Sequence, residues 1–158
     1  MRRTATRVAA VIAVSLALAG CASAEPEQPT EPEGPNGYTL SASLDDGSML
    51  WSDAGEESGL TDLILEDADG RMFASCLGTG PLLCIGGPET ARGALVIAPA
   101  GAERAVMQWY GQEVELVRGE STAPDAPPVF AGVMPPVLAE GGYSLEVFDG
   151  AGTVVMAQ

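Results

Sequence analysis

The sequence predicts an all-β domain over residues 37–158, folded as a single antiparallel β-sandwich of the immunoglobulin-like kind or as a partly open barrel. Short apolar runs recur along this stretch, and Gly, Asp and Pro separate them about every eight to twelve residues, a spacing typical of such folds. Several runs also alternate apolar and polar residues, which is the period of a strand with one buried face. The residues before Gly37 lack both features.

The predicted strands follow one another through short connections. In chain order they cover residues 38–44, 49–51, 60–66, 71–77, 81–85, 94–97, 102–110, 114–116, 129–133, 143–148 and 153–157. Asp67–Gly70 and Asp149–Gly152 share an Asp-x-x-Gly pattern, and each predicts a hairpin turn. Residues 94–97 are continuously apolar, as expected of a fully buried strand.

A helix competes with a strand only in the segment that begins at Ala102. Its Ala, Glu, Arg, Met and Gln content favours a helix. However, Ala105, Met107 and Trp109 alternate with the residues between them at the period of a strand, and Gly111 provides a turn. We therefore predict a strand.

The first 20 residues have the organisation of a secretory signal, with arginines followed by an apolar run too short to span a membrane. The run ends in Leu18-Ala19-Gly20-Cys21, which resembles the lipobox of bacterial lipoproteins. In that family the Cys sulfur receives a diacylglyceryl thioether, and the chain is cut before the Cys. The resemblance implies lipidation of Cys21 and a protein held by its lipid at the extracytoplasmic face of the cell membrane.

Two alternatives concern the same segment. An ordinary signal peptide would be cut near Ala22-Ser23-Ala24 and would discard Cys21. The pair Arg2-Arg3 is compatible with twin-arginine export, although Thr4-Ala5-Thr6 does not extend that motif. We favour the lipoprotein interpretation because every lipobox position fits and a tether follows directly.

Residues 21–36 are predicted to form this tether. They alternate proline with glutamate and contain no large apolar side chain, so they cannot bury a core and are expected to be disordered. Proline and like charges both favour an extended chain of about 3.1 Å per residue, which spaces the domain from the membrane.

The charge balance excludes some partners. Loss of Arg2, Arg3 and Arg7 with the signal would leave four of the seven basic residues against 22 acidic ones, a net charge of −18. Such a surface repels nucleic acid and anionic lipid headgroups. Membrane attachment is therefore expected to come from acyl chains, and two chains are needed for a stable anchor.

With Cys21 lipidated, Cys76 and Cys84 are the two remaining cysteines, and outside the reducing cytosol they are predicted to form a disulfide. The segment between them contains Gly and Pro, so it can fold back as a hairpin loop. A redox pair would have Cys-x-x-Cys spacing, and a zinc site would need further Cys or His ligands. Neither is predicted.

Few side chains are available for catalysis. The chain has no histidine and no lysine, which removes the commonest general base and Schiff-base chemistry. Carboxylates remain, and a small carboxylate-based hydrolase would draw on Asp45, Asp46, Asp53, Glu56 and Glu57. In a chain this acidic such clusters occur without function, so we predict neither enzymatic activity nor a cofactor.

Calcium is another use for acidic loops. Residues 66–70 superficially resemble a calcium-binding loop, but with Gly70 at the sixth position Leu65 would be the first ligand and Cys76 the twelfth. We favour a solvated turn and predict no metal site. A calcium or small-ligand sensor is the alternative function.

The aromatic residues Trp51, Trp109 and Tyr110 admit two interpretations: a surface platform for a sugar or a partner, or packing in the sandwich core. Alternating strands usually bury such side chains, which favours the core. Because neighbouring strand residues face opposite sides, we expect Trp109 and Tyr110 to point apart and at least one to be exposed.

From Gly93 to Ala157 the order of elements is a strand, an Ala-Gly-Ala-Glu-Arg connection, paired strands, a Val-Phe-Ala-Gly-Val strand and the Asp-x-x-Gly hairpin. This order is similar to small β domains of exported proteins from high-GC Gram-positive bacteria of the actinobacterial type, and the resemblance implies no catalytic residue. We expect a lipid-anchored binding or structural accessory module with a protein or cell-wall partner.

Overall fold

The computed structural model describes residues 34–158 except 36, 56–58, 121–122 and 139, and the described residues form strands and turns with no helix. The all-β prediction is confirmed. The strands are β1 (Thr39–Ser43), β2 (Met49–Gly55), β3 (Leu60–Glu66), β4 (Met72–Gly78), β5 (Leu82–Gly86), β6 (Arg92–Ile97), β7 (Ala102–Trp109), β8 (Gln112–Gly119), β9 (Val129–Met134), β10 (Tyr143–Asp149) and β11 (Val154–Ala157).

The strands form two antiparallel sheets, as expected for a sandwich. One sheet has four strands in the order β1-β2-β3-β4, and the other has seven in the order β11-β10-β7-β8-β9-β6-β5. Consecutive strands pair throughout the smaller sheet. In the larger sheet β9 returns to pair with both β8 and β6, which joins the β5–β6 hairpin to the strands that follow it.

Two hydrophobic cores lie on opposite faces of β6 and β9. Leu95 and Ile97 pack toward the four-stranded sheet, with Leu63 and Leu65. Their neighbours Ala94 and Val96 join a second core with side chains from β7, β8, β10 and β11. The four-stranded sheet does not cover this second core, so the seven-stranded sheet curls into a half-barrel that encloses its own side chains. Burial on both faces explains the continuous apolar run of β6.

The segment that begins at Ala102 is a strand, as predicted. β7 lies between β8 and β10, and its Ala105, Met107 and Trp109 side chains enter the half-barrel core. A helix would scatter these three side chains around its axis, whereas the period of two buries all of them on one face. Tertiary burial therefore overrides helix propensity.

The Cys76–Cys84 disulfide is confirmed, with the two Cα atoms 5.6 Å apart. The expected hairpin is wrong, because Cys76 lies on β4 at the edge of the four-stranded sheet and Cys84 on β5 at the edge of the seven-stranded sheet. The chain changes sheets between these strands. The disulfide therefore links the two sheets at one end of the sandwich.

Both Asp-x-x-Gly segments form the predicted turns with the same hydrogen bonds. Asp67 Oδ1 accepts the backbone N–H groups of Asp69 and Arg71. Asp149 Oδ1 likewise accepts those of Ala151 and Thr153. The repeated pattern is thus a repeated solution to closing a hairpin, in which a carboxylate pairs amides that the strands leave free.

Candidate functional site

The structure separates the side chains that the sequence offers for chemistry. Asp45 and Asp46 are exposed in the β1–β2 turn, and Asp53 is exposed on β2. Cys21, Glu56 and Glu57, like almost all of the predicted tether, lie outside the described residues. The described residues contain no helix long and apolar enough to cross a membrane.

In the acidic segment 66–70, for which a solvated turn was predicted in preference to a calcium site, the Asp67 carboxylate holds the turn. Asp67 Oδ1 lies 2.9 Å from the backbone nitrogens of both Asp69 and Arg71. Asp69 in turn lies 3.6 Å from the Arg71 guanidinium. Over the part of the chain that the structure describes, no three His, Cys, Asp or Glu side chains come together as a group suited to a metal ion.

Asp53 faces a second carboxylate, Asp62, directly across the β2–β3 ladder. Like charges in this position repel each other. The Tyr38 hydroxyl donates to Asp62 Oδ2 at 2.6 Å and stabilises the charge. This hydrogen bond, followed by partial burial and the charges of Asp62 and Asp53, raises the pKa of Tyr38 from 10.0 to about 12.

Replacing Tyr38 with phenylalanine is expected to lower the free energy of unfolding by about 1 kcal/mol, since the hydrogen bond to Asp62 is partly exposed to water. In the unchanged protein the unfolded tyrosine ionises near pH 10, while the folded one keeps its proton to about pH 12. The contribution of Tyr38 is therefore complete below pH 10 and is lost as the pH rises toward 12.

The absorbance of tyrosinate, recorded as the difference between the unchanged protein and Tyr38→Phe across the alkaline range, measures this ionisation. A difference curve that titrates at the ordinary tyrosine pKa would contradict the hydrogen-bonded geometry.

Trp51 is buried, as favoured from the sequence, but on the outer face of the four-stranded sheet and in neither of the two cores. Its indole N–H donates to Glu66 Oε2 at 2.8 Å. Gly34 packs directly against its ring, since a Cβ placed on Gly34 would be 2.2 Å from the indole. Trp51 is therefore covered by a residue from the predicted tether and is not a binding platform.

Trp109 is also buried, and its ring contacts two tyrosine rings. Its ring lies 5.6 Å from that of Tyr143 in a stacked arrangement and 5.0 Å from that of Tyr110 in an edge-on one. Tyr143 is 51% exposed. The expectation that Trp109 and Tyr110 point apart is wrong, because Tyr110 has left the strand and belongs to the turn.

Tyr110 is the only described non-glycine residue with a positive φ, 47°, and Gly111 follows with 83°. Two such residues between β7 and β8 give the left-handed pair of a type I′ hairpin. Asn or Gly is the usual first residue of this turn, since a bulky side chain there costs about 1–2 kcal/mol. The Tyr110 ring offsets part of this cost by packing on Trp109.

Two substitutions separate the energetic contribution of the turn conformation from that of the Tyr110 ring contact. Tyr110→Asn keeps a residue suited to the turn and loses the ring contact, so its free energy of unfolding is expected to stay within about 0.5 kcal/mol of the original. Tyr110→Ala loses the ring and keeps the strained backbone, and it is expected to lose about 1 kcal/mol. Urea unfolding measures both. Equal losses would contradict the type I′ assignment.

Pro135–Leu138, which we call the strap, crosses the end of β7 and β8. Trp109 Nε1 donates to the Pro135 carbonyl at 2.9 Å, and Gln112 Nε2 reaches the Pro136 carbonyl at 3.4 Å. Leu138 is 84% exposed. The strap therefore presents apolar side chains to solvent while its backbone is fixed to β7 and β8.

Pro135 and Pro136 of the strap also line an open cavity of about 410 Å³ between the β1–β2 turn and strands β8 and β9. We call it the inter-sheet groove. Val117 and Val133 contribute to an apolar lining, and Asp45, Asp46 and Glu115 are exposed carboxylates around it. None of the described residues that line the groove is basic.

A larger depression of about 620 Å³ follows the loop after β8 and is lined mainly by Ala and Pro. It adjoins residues 121–122, which lie outside the described part of the chain. The inter-sheet groove is the better candidate because ordered strands form it and because apolar and charged side chains converge there.

The sequence did not identify Glu115, Val117 and the prolines of the strap as parts of one surface. Pro135 and Pro136 indicated only the end of a strand, and Glu115 only an outward-facing position. The exposed end of the strap, Val137 and Leu138, is an apolar pair after two prolines and was the available signal. No protein-family model, no curated protein and no solved structure matches this chain.

Proposed function

We propose that this chain is a lipid-anchored, extracytoplasmic binding module without catalytic activity, and that its ligand occupies the inter-sheet groove. One observation supports the choice of surface: the groove combines an apolar lining from Val117 and Val133 with the exposed carboxylates Asp45, Asp46 and Glu115. Apolar contacts supply affinity, and the few charged groups select the ligand. The groove favours a ligand that carries apolar groups and positive charge.

The absence of catalysis is proposed from the residue inventory. Histidine and lysine do not occur in the chain, and Cys76 and Cys84 are joined in the disulfide. Carboxylates are the most numerous acid–base groups that remain, and Asp53 lies on β2, whereas the groove carboxylates lie in the β1–β2 turn and on β8. A module that binds and does not react is the simplest use of this arrangement. A protein or a cell-wall component is the expected partner.

Photo-crosslinking in the native envelope tests the proposed surface. A benzophenone amino acid at Val117 is expected to give a defined adduct, and the pair of substitutions Asp45→Asn and Asp46→Asn is expected to reduce it severalfold. The same amino acid at Leu77, which is 57% exposed on β4, is the control. Equal adducts from both positions, or an adduct that the Asn variants leave unchanged, would remove the groove from consideration.

The proposed anchor makes a separate prediction. Cys21→Ala removes the sulfur that would carry the lipid, so the protein is expected to appear in the soluble fraction or as an uncleaved precursor, instead of in the membrane fraction as a processed form. Fractionation with mass spectrometry of the N-terminus measures this. A processed Cys21→Ala protein that remains in the membrane would refute the lipoprotein interpretation.

A further inference from the structure

We infer that the inter-sheet groove binds an extended polypeptide segment in which a basic side chain lies between apolar side chains on the same face of the segment. This ligand class rests on the proposed function, because both concern the same groove. The starting point is the set of hydrogen-bonding groups that line the groove, in which acceptors far outnumber donors.

The polar side chains of the lining are mostly carboxylates. Asp45, Asp46 and Glu115 supply them, and an ionised carboxylate accepts hydrogen bonds without donating any. Among the described lining residues, the Thr90 hydroxyl is the one side-chain donor. The strap contributes two prolines to the wall, and proline has no backbone N–H. The groove therefore suits a ligand group that donates hydrogen bonds and carries positive charge.

Two of these carboxylates are open to such a group. In the part of the chain that the structure describes, the side chains of Asp45 and Glu115 have no hydrogen-bond or ion-pair partner. The basic residue nearest to Glu115 along the chain is Arg118, and it pairs with Glu103 of β7. A cation supplied by a ligand can therefore meet carboxylates that Arg118 does not neutralise. Lysine and arginine side chains carry donors and no acceptor, which matches this lining.

The remainder of the lining favours a polypeptide over a glycan. Val117 and Val133 contribute to its apolar part, and Val117 is 36% exposed. None of the described lining residues is aromatic. Sugar rings bind well against aromatic side chains, and sugar hydroxyls require both donors and acceptors. Apolar side chains and a basic one on the same polypeptide need neither an aromatic surface nor additional donors.

An extended segment presents both kinds of side chain to the groove at once. Its side chains point to the same face at every second position. A basic residue can then reach the carboxylates while apolar residues two positions before and after it pack on Val117 and Val133. The cavity is open, and its volume of about 410 Å³ lies within the range of about 300–1,000 Å³ for ligand pockets. It has room for a few side chains and leaves the ligand backbone at its mouth, in contact with water.

Backbone amide NMR on the full chain in detergent micelles tests this ligand class with capped pentapeptides. Val-Thr-Arg-Thr-Val has Val, Arg and Val on one face and is expected to shift the amides of Val117 and Val133 most. Thr-Val-Arg-Val-Thr has the same composition but places its valines opposite the arginine, and it is expected to bind about fivefold more weakly. Since the two peptides have equal charge, general attraction to an acidic protein does not distinguish them. Glu in place of Arg in the first peptide is expected to weaken binding at least tenfold.

Substitutions in the protein test the carboxylates. Asp45→Asn and Glu115→Gln are each expected to weaken binding of the first peptide about two- to fivefold, as for an exposed ion pair. Asp53→Asn removes the same charge from β2, outside the groove, and as the matched control it is expected to leave binding unchanged. Equal binding of the two arginine peptides, or shifts that centre outside the groove, would overturn the inferred ligand class.

Different results contradict the proposed function and the inferred ligand class. If the adduct at Val117 forms and depends on Asp45 and Asp46, but the first peptide does not bind, the groove remains the ligand site and the ligand class is wrong. If that peptide binds as expected but no adduct forms in the native envelope, the groove has the inferred preference and the proposed function fails. A glycan recovered in the adduct would also overturn the ligand class.

Discussion

Replacing Phe130 with alanine is expected to lower the free energy of unfolding by about 3–5 kcal/mol. Phe130 is fully buried at the centre of the half-barrel core, on a strand paired on both sides. Its ring faces the half-barrel core, whereas the next residue, Ala131, faces the four-stranded sheet. β9 is therefore held from two sides and cannot move to close the cavity that the lost ring leaves. The free energy of unfolding of a domain of this size is about 5–15 kcal/mol in total, so the variant is near the limit of stability.

Urea unfolding followed by circular dichroism measures this loss, and Phe148→Ala is the matched control. Phe148 is also on a strand of the seven-stranded sheet, but it is only partly buried and lies under the Arg104 guanidinium, 4.4 Å from its ring centroid. Its removal is expected to cost about 1 kcal/mol. If the two variants lose the same stability, the half-barrel is not a packed core of its own.

The individual strands could be predicted from the sequence because their signals are local. Alternation marks β1 and β7, the continuous run marks β6, and Asp-x-x-Gly marks two hairpins. The sheet to which a strand belongs is not determined by its local sequence. The segment from β4 to β5 has the Gly and Pro content of a hairpin, yet the two strands enter different sheets. The sheet that β4 or β5 joins depends on which strands cover the two faces of β6. Those strands lie far away in the sequence.

The candidate groove could not be predicted for the same reason. The turn with Asp45 and the strands with Glu115 and Val133 become neighbours only after two sheets have packed and β9 has returned beside β8. The left-handed conformation of Tyr110 could not be predicted either, because Tyr-Gly lacks the Asn-Gly or Asp-Gly signature of a type I′ turn. The contact with Trp109 that offsets its strain is a tertiary one.

Removing the disulfide by the double substitution Cys76→Ala and Cys84→Ala is expected to lower the free energy of unfolding by about 2.5 kcal/mol. The chain-entropy relation gives this value for a closed loop of about nine residues. The effect on the folded protein follows from the position of the disulfide, which joins β4 and β5, the edge strands of different sheets. Amide exchange is therefore expected to accelerate first in β4 and β5, where the sheets separate, before the half-barrel core is exposed.

Reduction of the unchanged protein supplies the control for the effect of the substitutions themselves. The reduced protein is expected to unfold at the same urea concentration as the double variant, and reductant is expected to leave the double variant unaffected. Alanine suits position 76 because that side chain is 2% exposed and a serine there would bury a hydroxyl. If full reduction leaves the unfolding midpoint unchanged, packing between the two sheets is sufficient to hold them together, and the disulfide contributes no measurable stability to the sandwich.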